Sequence, residues 1–506
     1  MNSHFAQVAV IGAGTMGRGI AQMAAQAGSR VQLFDQQAAA VQAAIDNIHT
    51  QWEKMLAKGR CSAEQRDAWT ANLVAAIDLP SLAQADLVIE AIVERMDAKH
   101  QLFTQLEAIV SPSCVLASNT SSLSITAIAK PLAHPGRFAG LHYFNPVPLM
   151  KLVEVIPGLH TDAAVAPALT AFVRSMGHTP VTAVDMPGFI VNHAGRGYGT
   201  EALRIASESV TDFATVDRIL RDQMGFKLGP FELLDLTGLD VSHAVMESIY
   251  QQFYDEARYR PSALAAQRVA GGLLGRKTGA GFYRYTDGVQ QVAAEPAAPT
   301  VAEMPPVWVS ARAARRNQLY QLLKDLGARI ETGQQPSEQA LLLVAPLGFD
   351  MTTVAAVERL DPSRVVGIDM MLDDAATRRR VLATTPATRD DMKNAAHALF
   401  ASDGKAVSVI RDSGGFVTQR VVAHIVNIAC DMLQQNLCTP ADLETAVTLG
   451  LGYPLGPLAM GNAIGPTNVL EILFNLQTVY GDQRYRPSPW LRRRGAIGLS
   501  LMHTED

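Results

Sequence analysis

A strand that runs straight into a glycine turn, and from there into a helix, is the feature that most restricts this chain. Val8-Ala-Val-Ile11 reads as a buried strand, and Gly12-Ala-Gly14-Thr-Met-Gly17 follows at once. A helix-like run then extends to Ala27, Gly28 ends it, and Val31-Gln-Leu-Phe34 reads as a second strand closing on Asp35. Strand, glycine turn, helix, strand and acid in this order predict a β-α-β unit. Gly12 permits the tight turn, Gly14 lets the backbone approach a pyrophosphate, and Gly17 lets the helix pack close to the strand. The helix N-terminus offers free N–H groups and a positive dipole end to phosphates. Asp35 can accept both ribose hydroxyls of an adenosine, and a carboxylate there repels a 2′-phosphate. The unit therefore predicts NAD rather than NADP, with Gly12, Gly14, Met16, Gly17 and Asp35 at the cofactor. The bland alternative is a structural glycine turn, and the flanking strand, helix and acid weigh against it. Arg18 reads as a solvated helix residue rather than a phosphate ligand.

The rest of the 506 residues leave room for about three to five domains. Hydrophobic residues at 48% and charged residues at 18% support large cores and argue against disorder. A formal net charge of −5 gives no basic excess for nucleic acid. No apolar run approaches the ~18 residues of a membrane span. Cys61, Cys114, Cys430 and Cys438 form no C-x-x-C pair, so neither a metal site nor a redox motif is expected. Unpaired thiols, and a first strand that leaves no room for a signal peptide, point to the cytoplasm.

Five further segments carry chemistry-bearing residues: Ala85–Glu94, Val115–Ser122, Gly140–Pro148, Lys151–Ile156 and Pro187–Asn192. Together they resemble the L-3-hydroxyacyl-CoA dehydrogenase family over about residues 5 to 285. The stretch from Gly140 to Ile156 is far more specific than the glycine turn. The resemblance implies oxidation of a 3-hydroxyacyl thioester, with nicotinamide taking the hydride and a base taking the hydroxyl proton. It makes His142 the base and Glu154, twelve residues later, its orienting carboxylate. Independently, an acid among Leu, Val and Ile requires a partner, and an imidazolium is one. His142 is expected just past a strand-like run, Arg137 to Leu141. Ser121 is implied to hold the substrate's 3-hydroxyl and to touch cofactor and CoA; its bland reading is a helix N-cap. Asn192 is implied to orient substrate, with His193 standing where the family usually has arginine. Glu94, Lys99 and Asn145 are implied NAD contacts, although Lys99 also reads as an ordinary exposed helix lysine. Lys58 is matched to a lysine that reaches the CoA phosphates, at the end of a helical insertion from Ala38.

From Gly188 the pattern changes to long helices, with Thr211-Asp-Phe-Ala-Thr-Val-Asp217 as a capped start. A proline-rich linker follows, and then the chain repeats itself. Pro187-Gly-Phe-Ile-Val-Asn192 becomes Gly414-Gly-Phe-Val-Thr-Gln419, Leu228-Gly-Pro230 becomes Leu455-Gly-Pro457, and Arg137–His142 becomes Arg364–Asp369, always 227 residues on. The second copy has Asp369 for His142, Gln419 for Asn192 and Val381 for Glu154, and no glycine from Trp308 to Arg316. The expected architecture is thus an α/β Rossmann domain (1–186), an all-α C-terminal domain (187–288), a Pro/Ala-rich linker (289–305), a degenerate Rossmann-like lobe (306–411) and a second all-α domain (412–506). The two helical domains are expected to pack on each other as an intrachain pseudo-dimer, and whole chains can associate further as homo-oligomers. The resemblance extends to the long bacterial form found in phenylacetate degradation, implying 3-hydroxyadipyl-CoA or 3-hydroxybutyryl-CoA as the acyl-CoA substrate. Two other classes share parts of this pattern. A β-hydroxyacid dehydrogenase would need a catalytic lysine and no His142–Glu154 pair. A non-enzymatic NAD-binding protein would show decayed site residues in the first copy.

Overall fold

The structure, a computed structural model, describes residues 5–505. It forms two compact units, one running to His193 and adding Asn436–Leu451, the other holding Ala194–Gln435 and the chain from Gly452 onward.

The first unit is built on β1 (Gln7–Ile11), β2 (Arg30–Phe34), β3 (Leu73–Ala75), β4 (Leu87–Glu90), β5 (Val115–Ser118), β6 (Phe138–Tyr143), β7 (Leu152–Pro157) and β8 (Thr179–Thr182). They form one sheet in the order β3-β2-β1-β4-β5-β6-β7-β8. Neighbours are parallel except β6 and β7, which run antiparallel. From β1 the chain moves outward to β2 on one side and later returns to β4 on the other. The carboxyl ends of β1 and β4 therefore flank a topological switch point, where open α/β sheets bind ligands. The near-continuous apolar strands Val8–Ile11 and Leu87–Ile89 are buried, as expected for a parallel sheet covered on both faces. The helix Thr15–Gln26 buries Gly17, Ala21, Ala24 and Ala25, and these small side chains let it lie close to the sheet. The helix Ala38–Ala57 matches the expected insertion.

Two sequence expectations shift here. His142 lies inside β6 rather than past its end, and the antiparallel register sets it directly opposite Glu154. The run Arg137–Leu141 understated the strand because His and Tyr break the apolar pattern without breaking the ladder. Secondly, residues 436–451, placed by sequence in the second helical domain, pack in the first unit, with the helix Pro440–Leu451 against β7 and β8.

The second unit contains the helices Arg196–Ser207, Phe213–Met224 and Val417–Gln434, among others, and a hairpin of β9 (Arg284–Thr286) and β10 (Val289–Gln291). Asp212 caps the helix Phe213–Met224 by accepting from the Thr215 N–H at 2.8 Å, and Gly225 at φ 79° ends it. A second sheet comprises β11 (Val307–Val309), β12 (Ile330–Glu331), β13 (Leu341–Val344), β14 (Val365–Ile368), β15 (Arg379–Thr384) and β16 (Ala406–Ile410), in the order β12-β11-β13-β14-β15-β16. It has six strands against eight, and its antiparallel pair, β14–β15, repeats β6–β7. Residues 292–306 carry no helix or strand, yet Glu295 holds Arg379 through two hydrogen bonds of 2.7 and 2.8 Å. The helices Arg196–Ser207 and Val417–Gln434 lie side by side. They approach so closely that a Cβ on Gly197 would meet the Ile425 backbone at 3.2 Å.

Candidate active site

The glycine turn has the geometry that a bound dinucleotide demands. Gly12 sits at φ +104°, and a Cβ there would lie 2.4 Å from the Ala91 carbonyl oxygen. A Cβ on Gly17 would lie 1.8 Å from the Gly12 oxygen, whereas one on Gly14 would meet nothing within 4 Å. Two glycines are thus fixed by packing, and the third leaves bare backbone facing open space. A cleft of about 540 Å³ opens over the switch point, lined by Gly12, Gly14, Asp35, Gln37, Val93 and Gln101 among others. Asp35 Oδ2 accepts from the Ala13 N–H at 2.9 Å, tying the acid to the turn. These residues fit the adenosine half of NAD. Met16 belongs to the same turn but is only half-buried at the helix start.

Beside this cleft lies a polar cluster. Lys99 is 1% exposed, which overturns its reading as an exposed helix lysine. Its ammonium meets Glu90 at 2.6 Å and Glu94 at 3.2 Å. A lysine in that setting must be ion-paired, and Glu90, unremarked in the sequence, is the fully buried partner. Glu90 also accepts from Ser118 Oγ and the Ile92 N–H at 2.6 and 2.7 Å. Burial pushes the Glu94 carboxyl up, but the Lys99 charge and bonds from Thr120 and the Ser121 N–H hold it below the usual range. Ser121 bonds Glu94 through its N–H (2.8 Å) and hydroxyl (3.3 Å). It is not an N-cap: Ser124 caps the next helix, accepting from Ala127.

The candidate catalytic pair lies across β6 and β7. His142 Nδ1 lies 2.6 Å from Glu154 Oε2. Glu154 is fully buried, and its Oε1 accepts from the Ile190 and Val191 N–H groups at 2.8 and 2.9 Å. The imidazole is flanked by Phe144 and Phe189, ring centroids at 4.4 and 5.9 Å. Gly188 (φ 77°) and Phe189 (φ 47°) both take the left-handed conformation, which turns the next two N–H groups onto the carboxylate. A buried non-glycine residue at positive φ is a strained choice, and such strain clusters at functional sites. Asn192 Nδ2 donates to the Ser121 carbonyl at 3.4 Å, bringing those two segments together. Asn119, also missed by sequence, accepts from the Tyr143 N–H at 2.8 Å and secures β6 next to the histidine. Asn145 is exposed in the loop after β6. Lys58 is exposed at the C-cap of the helix Ala38–Ala57, and among the described residues it shares no hydrogen bond or ion pair with this cluster.

The second lobe has none of this constellation. Gln419 Nε2 donates to Asp369 Oδ1 at 2.9 Å and to the Pro346 oxygen at 3.1 Å, while its own oxygen accepts from the Gly348 N–H at 2.8 Å. Burial pushes the Asp369 carboxyl up to about 6 against the bond from Gln419. The positions equivalent to His142 and Asn192 are occupied by groups that satisfy each other.

Comparison with known proteins agrees with this layout. The family model of the 3-hydroxyacyl-CoA dehydrogenase NAD-binding domain matches residues 7–186. The model of the family's C-terminal domain matches twice, at 188–285 and 415–502. A curated 3-hydroxyadipyl-CoA dehydrogenase of Escherichia coli is 39% identical over 97% of both chains. A probable 3-hydroxybutyryl-CoA dehydrogenase of Deinococcus radiodurans is 42% identical over 54% of this chain and 99% of its own. A crystal structure titled 3-hydroxybutyryl-CoA dehydrogenase, from E. coli, superposes with a TM-score of 0.86 at 37% identity, covering 98% of this chain and 99% of that one. No helix among the described residues is long and apolar enough to cross a membrane. With a matching domain order, a glycine turn shaped for NAD and relatives aligned nearly end to end, this chain belongs to the 3-hydroxyacyl-CoA dehydrogenase family of NAD-dependent oxidoreductases.

Proposed function

We propose that the chain oxidises an L-3-hydroxyacyl-CoA to the 3-ketoacyl-CoA with His142 as general base and Glu154 as the carboxylate that orients it. The observation that carries this reading is the 2.6 Å contact of Glu154 on Nδ1. A carboxylate there selects the tautomer with the proton on Nδ1 and leaves Nε2 free to accept the substrate hydroxyl's proton. The two backbone N–H donors hold Glu154 so that the ring has one orientation. NAD, when bound, supplies the hydride acceptor at C4 of its nicotinamide. Ser121 and Asn192 are proposed to hold the 3-hydroxyl and the thioester beside the imidazole. Glu94, Lys99 and Asn145 are proposed to line the nicotinamide side, with Lys99 acting chiefly by fixing Glu94. Lys58 is proposed for the CoA phosphates on sequence matching alone. The packing of Arg196–Ser207 on Val417–Gln434 supports the reading that the two helical halves imitate a dimer contact of shorter relatives.

The substrate proposed first is 3-hydroxyadipyl-CoA, because the E. coli relative of that name aligns with both halves of this chain. The shorter 3-hydroxybutyryl-CoA is the second reading, after the relatives that bear that name. NADH oxidation with a panel of 3-ketoacyl-CoA thioesters decides: a higher kcat/KM for 3-ketoadipyl-CoA than for acetoacetyl-CoA is expected, and the reverse order would overturn the first reading. Cofactor choice is checked on the same assay. Asp35→Ser is expected to lower kcat/KM for NADH while raising that for NADPH, narrowing the preference by about 10-fold or more, the scale of one removed charge clash. Equal use of NADH and NADPH by the unaltered protein would contradict the role given to Asp35.

A further inference from the structure

The helix Pro440–Leu451 comes from the second half of the chain, yet it packs against β7 and β8 of the NAD-binding unit. Its approach is anchored where the Leu437 carbonyl accepts from the Val184 N–H at 3.0 Å. At Gly450 the approach leaves no room for a side chain: a Cβ there would lie 2.8 Å from Leu152 Cδ2 and 3.0 and 3.2 Å from the two Val191 methyls. Both neighbours belong to the Glu154 setting. Leu152 shares the strand face of Glu154 two residues away, and the Val191 N–H is one of the two donors to its carboxylate. Cys438 lies in the same layer, where burial, Asp442 and the Glu154 charge push its thiol up to about 12.

The same arrangement occurs in mirror role inside the second unit. The residues 227 positions before Gly450 and after Leu152 and Val191 are Gln223, Arg379 and Thr418. Gln223 donates to the Arg379 carbonyl at 3.5 Å and accepts from the Thr418 hydroxyl. The helix Phe213–Met224 thus touches β15 and the start of Val417–Gln434 as the helix Pro440–Leu451 touches β7 and Val191. Each half has handed the equivalent helix to the other's lobe.

We propose that Gly450 is a positioning residue of the catalytic pair: the helix lent by the second half seats Val191 and Leu152, and through them holds Glu154 against His142. The proposal rests on the His142–Glu154 reading. On it, the second half is kept because the active lobe is incomplete without this helix.

Gly450→Leu in the full chain is the test, assayed with NADH and a 3-ketoacyl-CoA after thermal melting confirms folding. A kcat fall of about 10- to 100-fold is expected, the scale of ångström-level misplacement. The KM for NADH should stay within about twofold, since the glycine turn is untouched. Adding Leu152→Ala, which vacates the space the new side chain invades, is expected to restore most of the loss. The neighbouring exposed Leu449→Gln should behave as the unaltered protein. A folded Gly450→Leu with unchanged kcat, or a loss that Leu152→Ala does not relieve, would overturn the proposal. Should Gly450→Leu not fold, Gly450→Ala decides: a lowered kcat at constant NADH KM supports the proposal and an unchanged kcat defeats it. Glu154→Gln run alongside separates the two levels. If it is fully active the catalytic reading itself fails, and if it is impaired while both Gly450 variants are normal, only the helix proposal fails.

Discussion

His142→Ala is expected to lower kcat for 3-ketoacyl-CoA reduction by at least about 100-fold, the usual contribution of a positioned acid–base group. In this direction the imidazolium gives its proton to the developing alkoxide, and alanine leaves only water to do so. The KM for NADH should change little, because the turn Gly12–Gly17 and Asp35 are separate from β6. Glu154→Gln is expected to cost a comparable factor for a different reason. The amide retains the shape and one acceptor, but its NH₂ can face Nδ1 and impose the wrong tautomer, the loss seen when a histidine's acid partner is made an amide. On the proposed reading the two residues form one device, so their effects should not multiply: the double variant should be no slower than His142→Ala by more than about threefold. Steady-state kinetics on the three variants checks this. Multiplicative losses would mean that Glu154 acts on something other than His142, and near-normal activity of His142→Ala would end the mechanism.

Much of this site was legible from sequence because its parts are local or spaced by the sheet's own period. The glycine turn, the acid at Asp35 and the capped helix at Asp212 each announce a backbone geometry that only certain residues adopt. The pairing of His142 with Glu154 was implied by the family resemblance, and the need of a buried acid in an apolar strand for a partner agreed with it. What escaped depended on residues distant in sequence. Glu90 reads as the end of an apolar strand, and only the fold brings Lys99 beside it and buries both. Only the alternative reading of Lys99 as an ordinary exposed helix lysine is excluded by this burial. The donors to Glu154 are backbone N–H groups, which any sequence possesses, and their aim depends on Phe189 holding an unfavourable φ. The exchange of Pro440–Leu451 was likewise invisible. The 227-residue repeat identifies equivalent helices but not which lobe each one covers.

Acidification is expected to destabilise the second unit, beginning below about pH 6.5. Glu201 is fully buried between the helices Arg196–Ser207 and Val417–Gln434, accepting from Arg420 Nε at 2.8 Å and from the Tyr485 hydroxyl at 2.7 Å, with Arg484 at 3.7 Å. Burial alone would raise its pKa, but Arg420 and Arg484 hold it at about 2. His424 sits in the same layer, and burial together with Arg484 pushes it down to about 3. Both folded-state pKa values lie below the unfolded ones, about 4.3 for Glu and 6.5 for His. The unfolded chain therefore takes up each proton first, and stability falls with pH at about 1.4 kcal/mol per unit for each group. The histidine contribution is lost from about pH 6.5 down to 3, and that of Glu201 from about 4.3 down to 2. His424→Gln should flatten the upper part of this decline. Glu201→Ala should cost about 3 kcal/mol at neutral pH, because it removes the buried counter-charge of Arg484 and one of the two carboxylates on Arg420, which keeps Glu208 at 2.6 Å. Urea midpoints from pH 7 to 4 measure both effects, and a midpoint unchanged between pH 7 and 5 would show that His424 is not held neutral by this layer. The cluster's position makes the consequence more than local. Glu201 comes from the first half of the chain and Arg420 from the second, so protonation loosens the seam that joins the two copies.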